Sequence, residues 1–251
     1  MPIPFLSIHR LLLLVACSPL LLADGQTDLR NALARYKATE SLKTAMEYQF
    51  WQNTGTEKQP KILQGRLQAV VEDGPQGLRF TWPTPVLSAA RQEARTQAQN
   101  PDAPDPVRTA MRQLDVLQVQ TCMDASEDLL RDLDQARFLE ERVESWQDKP
   151  ARVLAFRLEP KLPEEARKAL KKLEASLKVW IGADGAPLAA RTMVFFKASK
   201  MLISIESVQK DERTFAARNG RLVVLSQTQE ESTSAMGDRS QTRKVLNLSW
   251  N

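Results

Sequence analysis

Histidine is almost missing from this chain of 251 residues: the single one is His9. It lies in a segment that reads as a removable export signal, so the working chain would hold none. Without imidazole there is no Ser-His-Asp triad, no Cys-His dyad and no histidine-ligated metal. Cysteine is nearly as scarce. Cys17 and Cys122 are the only two, which excludes a disulfide-stapled miniprotein. No Gly-x-Ser-x-Gly, Walker-type Gly-Lys-Ser/Thr or Gly-x-Gly-x-x-Gly element occurs. Charge is not blocked either. The net +4 is spread along the chain with no run of five like charges, so no nucleic-acid partner is expected. The one long apolar run, Leu11 to Leu22, has twelve residues. At helical rise it reaches about 18 Å, short of the roughly 30 Å hydrocarbon core of a bilayer.

What is present fits an exported globular protein. Apolar residues make up 42% and charged residues 26%, close to globular averages. Residues 1–23 show one Arg, an apolar run and a small-residue end, the layout of a secretory signal peptide. Two processing readings compete. Leu14-Val15-Ala16-Cys17 is lipobox-like and would make Cys17 a lipidated N-terminus. Cleavage near Ala23 would instead release a soluble chain. Either predicts a bacterial periplasmic location, membrane-anchored only in the first case. Cys122 then has no disulfide partner within the working chain and reads as a small buried apolar residue.

Periodicity assigns the remainder, residues 24–251, to one α+β domain. Leu29, Ala32, Leu33 and Tyr36 share a helical face, with Thr27 as N-cap. Three strands follow at about 41–52, 63–72 and 78–82, joined as an antiparallel meander. Residues 86–135 form a helical insert of two or three helices, broken by a Pro-rich loop at 100–106. Asp124-Ala-Ser-Glu127 resembles a capping box. Strands return at 138–146 and 153–158. A helix is predicted over 163–172, proline first, acids in its first turn and lysines in its last. Further strands are predicted at 177–181, 187–196, 201–209, 213–217, 221–229 and 243–250, with Asp184-Gly185 and Asn219-Gly220 as hairpin turns. The strands near 193–196 and 201–205 are apolar on both faces, so both faces need cover.

Several segments then take on a family look. Phe50-Trp51-Gln52 ends the first strand, Gly65-Arg66-Leu67 leads the second, and Pro75 precedes Leu78-Arg79-Phe80-Thr81-Trp82. Leu177-Lys-Val-Trp-Ile-Gly-Ala-Asp-Gly-Ala-Pro-Leu188 gives a strand, an Asp-Gly hairpin and a strand. Over about 40–82 and 175–250, roughly half of the working chain, the sequence resembles the periplasmic outer-membrane lipoprotein carrier-like superfamily. The carrier proper has a basic residue before the turn proline where Gly74 stands here, and the 86–135 insert replaces its central hairpin. The resemblance implies a curved, unclosed half-barrel of about ten antiparallel strands with helices covering the concave side. It also implies a non-enzymatic carrier or chaperone that holds an acyl chain or a lipidated protein in an apolar cavity. Burial of CH2 groups suits such a ligand, at about 0.8 kcal/mol each.

The wall residues expected of that cavity are Met46, Tyr48, Phe50, Leu67, Phe80, Trp82, Val179, Ile181, Val194 and Phe196. The same apolar stripes also suit an ordinary filled core. The alternative function is then an envelope protein-interaction module that contacts partners through its helical insert. No cofactor, metal or catalytic residue is expected. Ser207 and Lys210 have Ser-x-x-Lys spacing, but on a strand that spacing separates the two faces. Asp102, Asp105, Asp132 and Asp134 lack calcium-loop spacing. A third reading, a carboxylate-dependent hydrolase, requires a cleft with clustered carboxylates of perturbed pKa.

Overall fold

The computed structural model describes residues 24–56, 59–200, 203–236 and 238–250. The segment 1–23, expected from its sequence to be an export signal, lies outside them, and Cys17 with it. One antiparallel sheet of ten strands organises the chain. Its order is β3-β2-β1-β10-β9-β8-β7-β6-β5-β4, and the edges, β3 and β4, do not meet. The half-barrel is therefore open, as expected.

Chain order explains this arrangement. β1 (Leu42–Thr56), β2 (Gln59–Gly74) and β3 (Gly77–Thr81) form a meander. Four helices then intervene: α2 (Thr84–Gln99), α3 (Pro106–Gln113), α4 (Val116–Met123) and α5 (Ser126–Asp134). A second meander follows: β4 (Ala136–Trp146), β5 (Lys149–Leu158), β6 (Leu170–Ile181), β7 (Pro187–Lys200), β8 (Ile203–Arg218), β9 (Arg221–Ala235) and β10 (Asp238–Ser249). The last strand pairs with the first, Tyr48 opposite Leu246, and so joins the two meanders.

Side-chain alternation gives the sheet two different faces. Leu42, Met46, Tyr48 and Phe50 of β1 point inward with Leu67, Ala69 and Val71 of β2 and with Leu177, Val179 and Ile181 of β6. They meet α1 (Gly25–Leu33), α3, α4 and α5 in one core, through Leu29, Leu33, Ala110, Val119, Met123, Leu129 and Leu133. The outer face carries a small second cluster of Ala151, Val153, Trp180 and Ala189, with Trp146 stacked at a tilt on Trp180 at 5.4 Å.

Local chemistry departs from the sequence expectation at several points. Asp24, not Thr27, caps α1: its Oδ1 accepts the Gln26 N–H at 3.1 Å. The insert holds four helices because Asp115 starts a new one, accepting from the Leu117 and Gln118 amides. The expected capping box at 124–127 is absent. Ala125 occupies the N-cap, and Asp124 instead binds the Ser126 hydroxyl at 2.8 Å. The helix predicted over 163–172 is cut to α6 (Glu164–Ala169), because from Leu170 the chain pairs with β7 as part of β6. Sheet hydrogen bonds outweigh helix propensity there. The strands predicted at 201–209 and 213–217 are one strand, β8, bent by a bulge at Thr214/Phe215.

Candidate functional site

The helices cover only part of the concave face. Toward the β7–β8 and β9–β10 hairpins, inward positions change from apolar to polar. Successive inward rows read Leu246–Gln227–Arg213–Ala190, then Lys244–Gln229–Asp211–Thr192, then Thr242–Glu231–Gln209–Val194. Strand register thus places hydroxyls, amides and charges side by side along an open trough. α4 and α5 wall it with Gln118, Thr121, Cys122, Asp128 and Asp132. The recess measures about 510 Å³.

A buried ionic network fastens the wall to the floor. Arg213 is 5% exposed. Its Nη1 donates to Asp128 Oδ2 at 2.7 Å and its Nη2 to Asp132 Oδ2 at 3.1 Å, while Nε lies 3.7 Å from Asp211 Oδ2. Gln227 Nε2 donates to both Asp211 oxygens at 2.9 and 3.0 Å. Gln227 Oε1 accepts from Gln118 Nε2 at 2.9 Å and from the Cys122 thiol at 3.2 Å. Two strands and two helices of the insert are joined in this way.

The electrostatics follow from this packing. Burial works against the Arg213 charge, but the Asp211, Asp128 and Asp132 carboxylates outweigh it and hold the guanidinium protonated beyond its ordinary range. Burial raises both Asp211 and Asp132. Arg213 pulls each back without cancelling the rise, and the nearby Asp128 charge adds to it. Burial also pushes the Cys122 thiol up to about 12, so it is no nucleophile at neutral pH. Raised carboxyls in a cleft suit acid–base chemistry. Ion-pair networks that pin helices shift carboxyls in the same way, so the shift alone does not mark a catalytic pair.

The ten expected wall residues share the concave side but not one open space. Met46, Tyr48, Phe50, Leu67, Val179 and Ile181 are buried in the helix-covered core. Tyr48 acts there as a clamp: its hydroxyl donates to the Gln113 carbonyl at 2.9 Å, tying β1 to the end of α3. Phe80 and Trp82 stack on each other at 5.6 Å and pack on the core rim. Val194 borders the polar trough, and Phe50 also borders a separate recess of about 670 Å³ near Gly65 and Pro106. Phe196, half-buried, sits opposite Ser207 on the same face.

The remaining candidates, apart from the exposed Asp102, have structural partners. Ser207 faces inward beside Glu231 and Thr233, and the alternation places Lys210 on the other face, where it pairs with Glu212 at 3.0 Å. Asp105 is held by Thr109 and Arg112, and Asp134 by Arg30. No group of three His, Cys, Asp or Glu poised for a metal occurs among the described residues. Arg213, Asp128, Asp211, Gln227 and Glu231 were not legible as a set. For Arg213, Asp211 and Glu231 the one sequence signal is charge at inward parity within a strand, and the Lys210-Asp211-Glu212 run resembles a strand break.

No protein-family model matches the chain, and no curated protein matches it.

Proposed function

We propose that the chain is an exported, non-catalytic binding module built on a lipoprotein-carrier-like half-barrel, with the polar trough as its contact site. A partner segment lies along β7–β10 against α4 and α5. One observation carries this reading. The apolar stripes that an acyl-chain carrier needs open are occupied by α1, α3, α4 and α5, whereas the recess that stays open is lined by amides, hydroxyls and charges. A hydrocarbon chain in that recess would strip water from the polar groups left unpaired there, such as Lys244 and Glu231, which costs about 1–3 kcal/mol or more for each group. A peptide backbone supplies donors and acceptors instead.

Two measurements test it. Native mass spectrometry of protein purified from a periplasm without detergent should show the bare polypeptide. A stoichiometric phospholipid or fatty-acid adduct would restore the carrier reading. A random peptide library presented to the immobilised protein should enrich binders, and Thr192→Trp, which fills the trough, should lose them. No enrichment, or enrichment indifferent to Thr192→Trp, would overturn the module.

A further inference from the structure

We infer that the outer face of the sheet holds a neutral, extended oligosaccharide on Trp51, at a site separate from the trough. Strand register sets one row of side chains across six strands: Gln64, Trp51, Arg243, Glu230, Lys210 and Met193. Directly opposite residues share a face, and Trp51 follows the inward-facing Phe50, so the whole row points outward. Two recesses, of about 670 and 360 Å³, adjoin along it and share Trp51 and Arg243. Adjacent strands lie about 4.8 Å apart, close to the length of one ring in an extended sugar chain.

Trp51 is half-buried, and the part of its indole that stays exposed borders both recesses. Neither an aromatic ring nor a cation stacks on it among the described residues. The polar groups around it are held but not used up. Glu47 Oε1 accepts from Gln49 Nε2 at 2.6 Å and from Arg66 Nη2 at 2.9 Å, which orients both and leaves the Gln49 side-chain oxygen without a donor among the described residues. The side-chain amides of Gln64 and Gln241 have no hydrogen bond among the described residues. Met193 and Val208, 44% and 39% exposed, continue the apolar floor at the far end.

Charge narrows the ligand class. The three cations that border the recesses are each paired: Arg66 with Glu47 at 2.9 Å, Arg243 with Glu230 at 3.5 Å and Lys210 with Glu212 at 3.0 Å. A charged ligand would have to break these pairs. A hydrocarbon would cover Trp51 but leave the amides facing it without partners. A sugar ring meets both needs. Its C–H groups lie on the electron-rich face of the indole, and the hydroxyls at its rim reach Gln49, Gln64 and Gln241. Equatorial hydroxyls, as in a β-1,4-linked glucan, leave both ring faces flat and apolar, so the groove suits that class.

The test titrates cellohexaose and the matching β-1,4-hexaglucuronate, one neutral and one charged, calorimetrically into the purified protein. Cellohexaose should bind, with an affinity that changes less than about twofold between about 50 and 500 mM salt. Hexaglucuronate should bind at least about tenfold more weakly. Trp51→Ala should weaken cellohexaose about three- to tenfold, and Trp51→Phe less. Gln64→Ala, at an exposed position where folding is not at stake, should weaken it about two- to fivefold. Thr192→Trp, in the trough, should leave it unchanged. No binding of cellohexaose, equal or tighter binding of hexaglucuronate, or indifference to both Trp51→Ala and Gln64→Ala would overturn the inference. Loss of binding in Thr192→Trp would place the sugar in the trough and overturn it as well. Failure here leaves the binding module standing, because Trp51 and the trough lie on opposite faces of the sheet.

Discussion

Replacing Arg213 with methionine tests the reasoning about the trough most directly. The guanidinium has a side-chain exposure of 6% and meets Asp128, Asp132 and Asp211 at 2.7, 3.1 and 3.7 Å. Methionine replaces the aliphatic stem as far as about Nε and keeps its apolar contacts. What is lost is the cation, which leaves three carboxylates facing one another. Removing one partner of a buried ion pair typically costs about 3–5 kcal/mol. The aspartates retain 25–34% exposure, so water screens part of the repulsion and the low end, about 3 kcal/mol, is expected. The pH dependence fixes the cause. Folding already raises Asp132 and Asp211, so the folded chain binds protons more tightly than the unfolded chain does. Their contribution to stability therefore grows as pH falls through the raised values and levels off below the ordinary carboxylate range. In Arg213→Met the rise should be larger, and the deficit against wild type should shrink from pH 7.5 to pH 5. Urea denaturation followed by circular dichroism at both pH values measures this. A loss below about 1 kcal/mol at pH 7.5, or a deficit that does not change with pH, would refute the account of a buried, charge-locked wall.

Three further predictions concern the frame around the site. A Cβ at Gly65 would lie 2.2 Å from the Pro106 carbonyl oxygen and 2.8 Å from the Ala110 nitrogen. Gly65→Ala should therefore displace α3 and cost about 1–3 kcal/mol, seen as a lower Tm and faster hydrogen exchange in 106–113; an unchanged Tm would show that α3 does not rest there. Arg221 donates to Asp73 Oδ2 at 2.5 Å and to the Ala38 carbonyl at 2.9 Å, with Arg221 and Asp73 both buried. Arg221→Met should lose about 3–5 kcal/mol in urea denaturation, and Arg221→Met with Asp73→Leu should recover part of it. The Cys122 thiol is 1% exposed and raised to about 12. It should resist a thiol reagent at pH 8 in the native protein and react at once in denaturant; fast native labelling would show that α4 opens readily.

Much of the fold was legible because apolar alternation is a local signal. The even positions 46, 48 and 50 and the odd positions 177, 179 and 181 declare which face of β1 and β6 is buried. The Asp184-Gly185 turn was equally plain, and Gly185 has φ +78° with the Asp28 carbonyl oxygen 2.7 Å from where its Cβ would be. Strand ends were less legible. Leu170 and Lys172 carry helix-forming neighbours, yet β7 recruits them. Cover of both faces near 193–196 was expected, but Met193 is 44% exposed and Val208 39%.

The sequence by itself determined an antiparallel α+β chain with a helical insert and no histidine in its described part, because period, turn chemistry and composition are written residue by residue. Only the tertiary structure decided whether those apolar stripes enclose a cavity or a core. That depends on where α1, α3, α4 and α5 land, and helix docking is a long-range packing outcome. It also decided the site. Asp128 and Asp132 meet Arg213 across more than 80 residues of chain, and no local pattern records that three inward charges on different elements share one buried space.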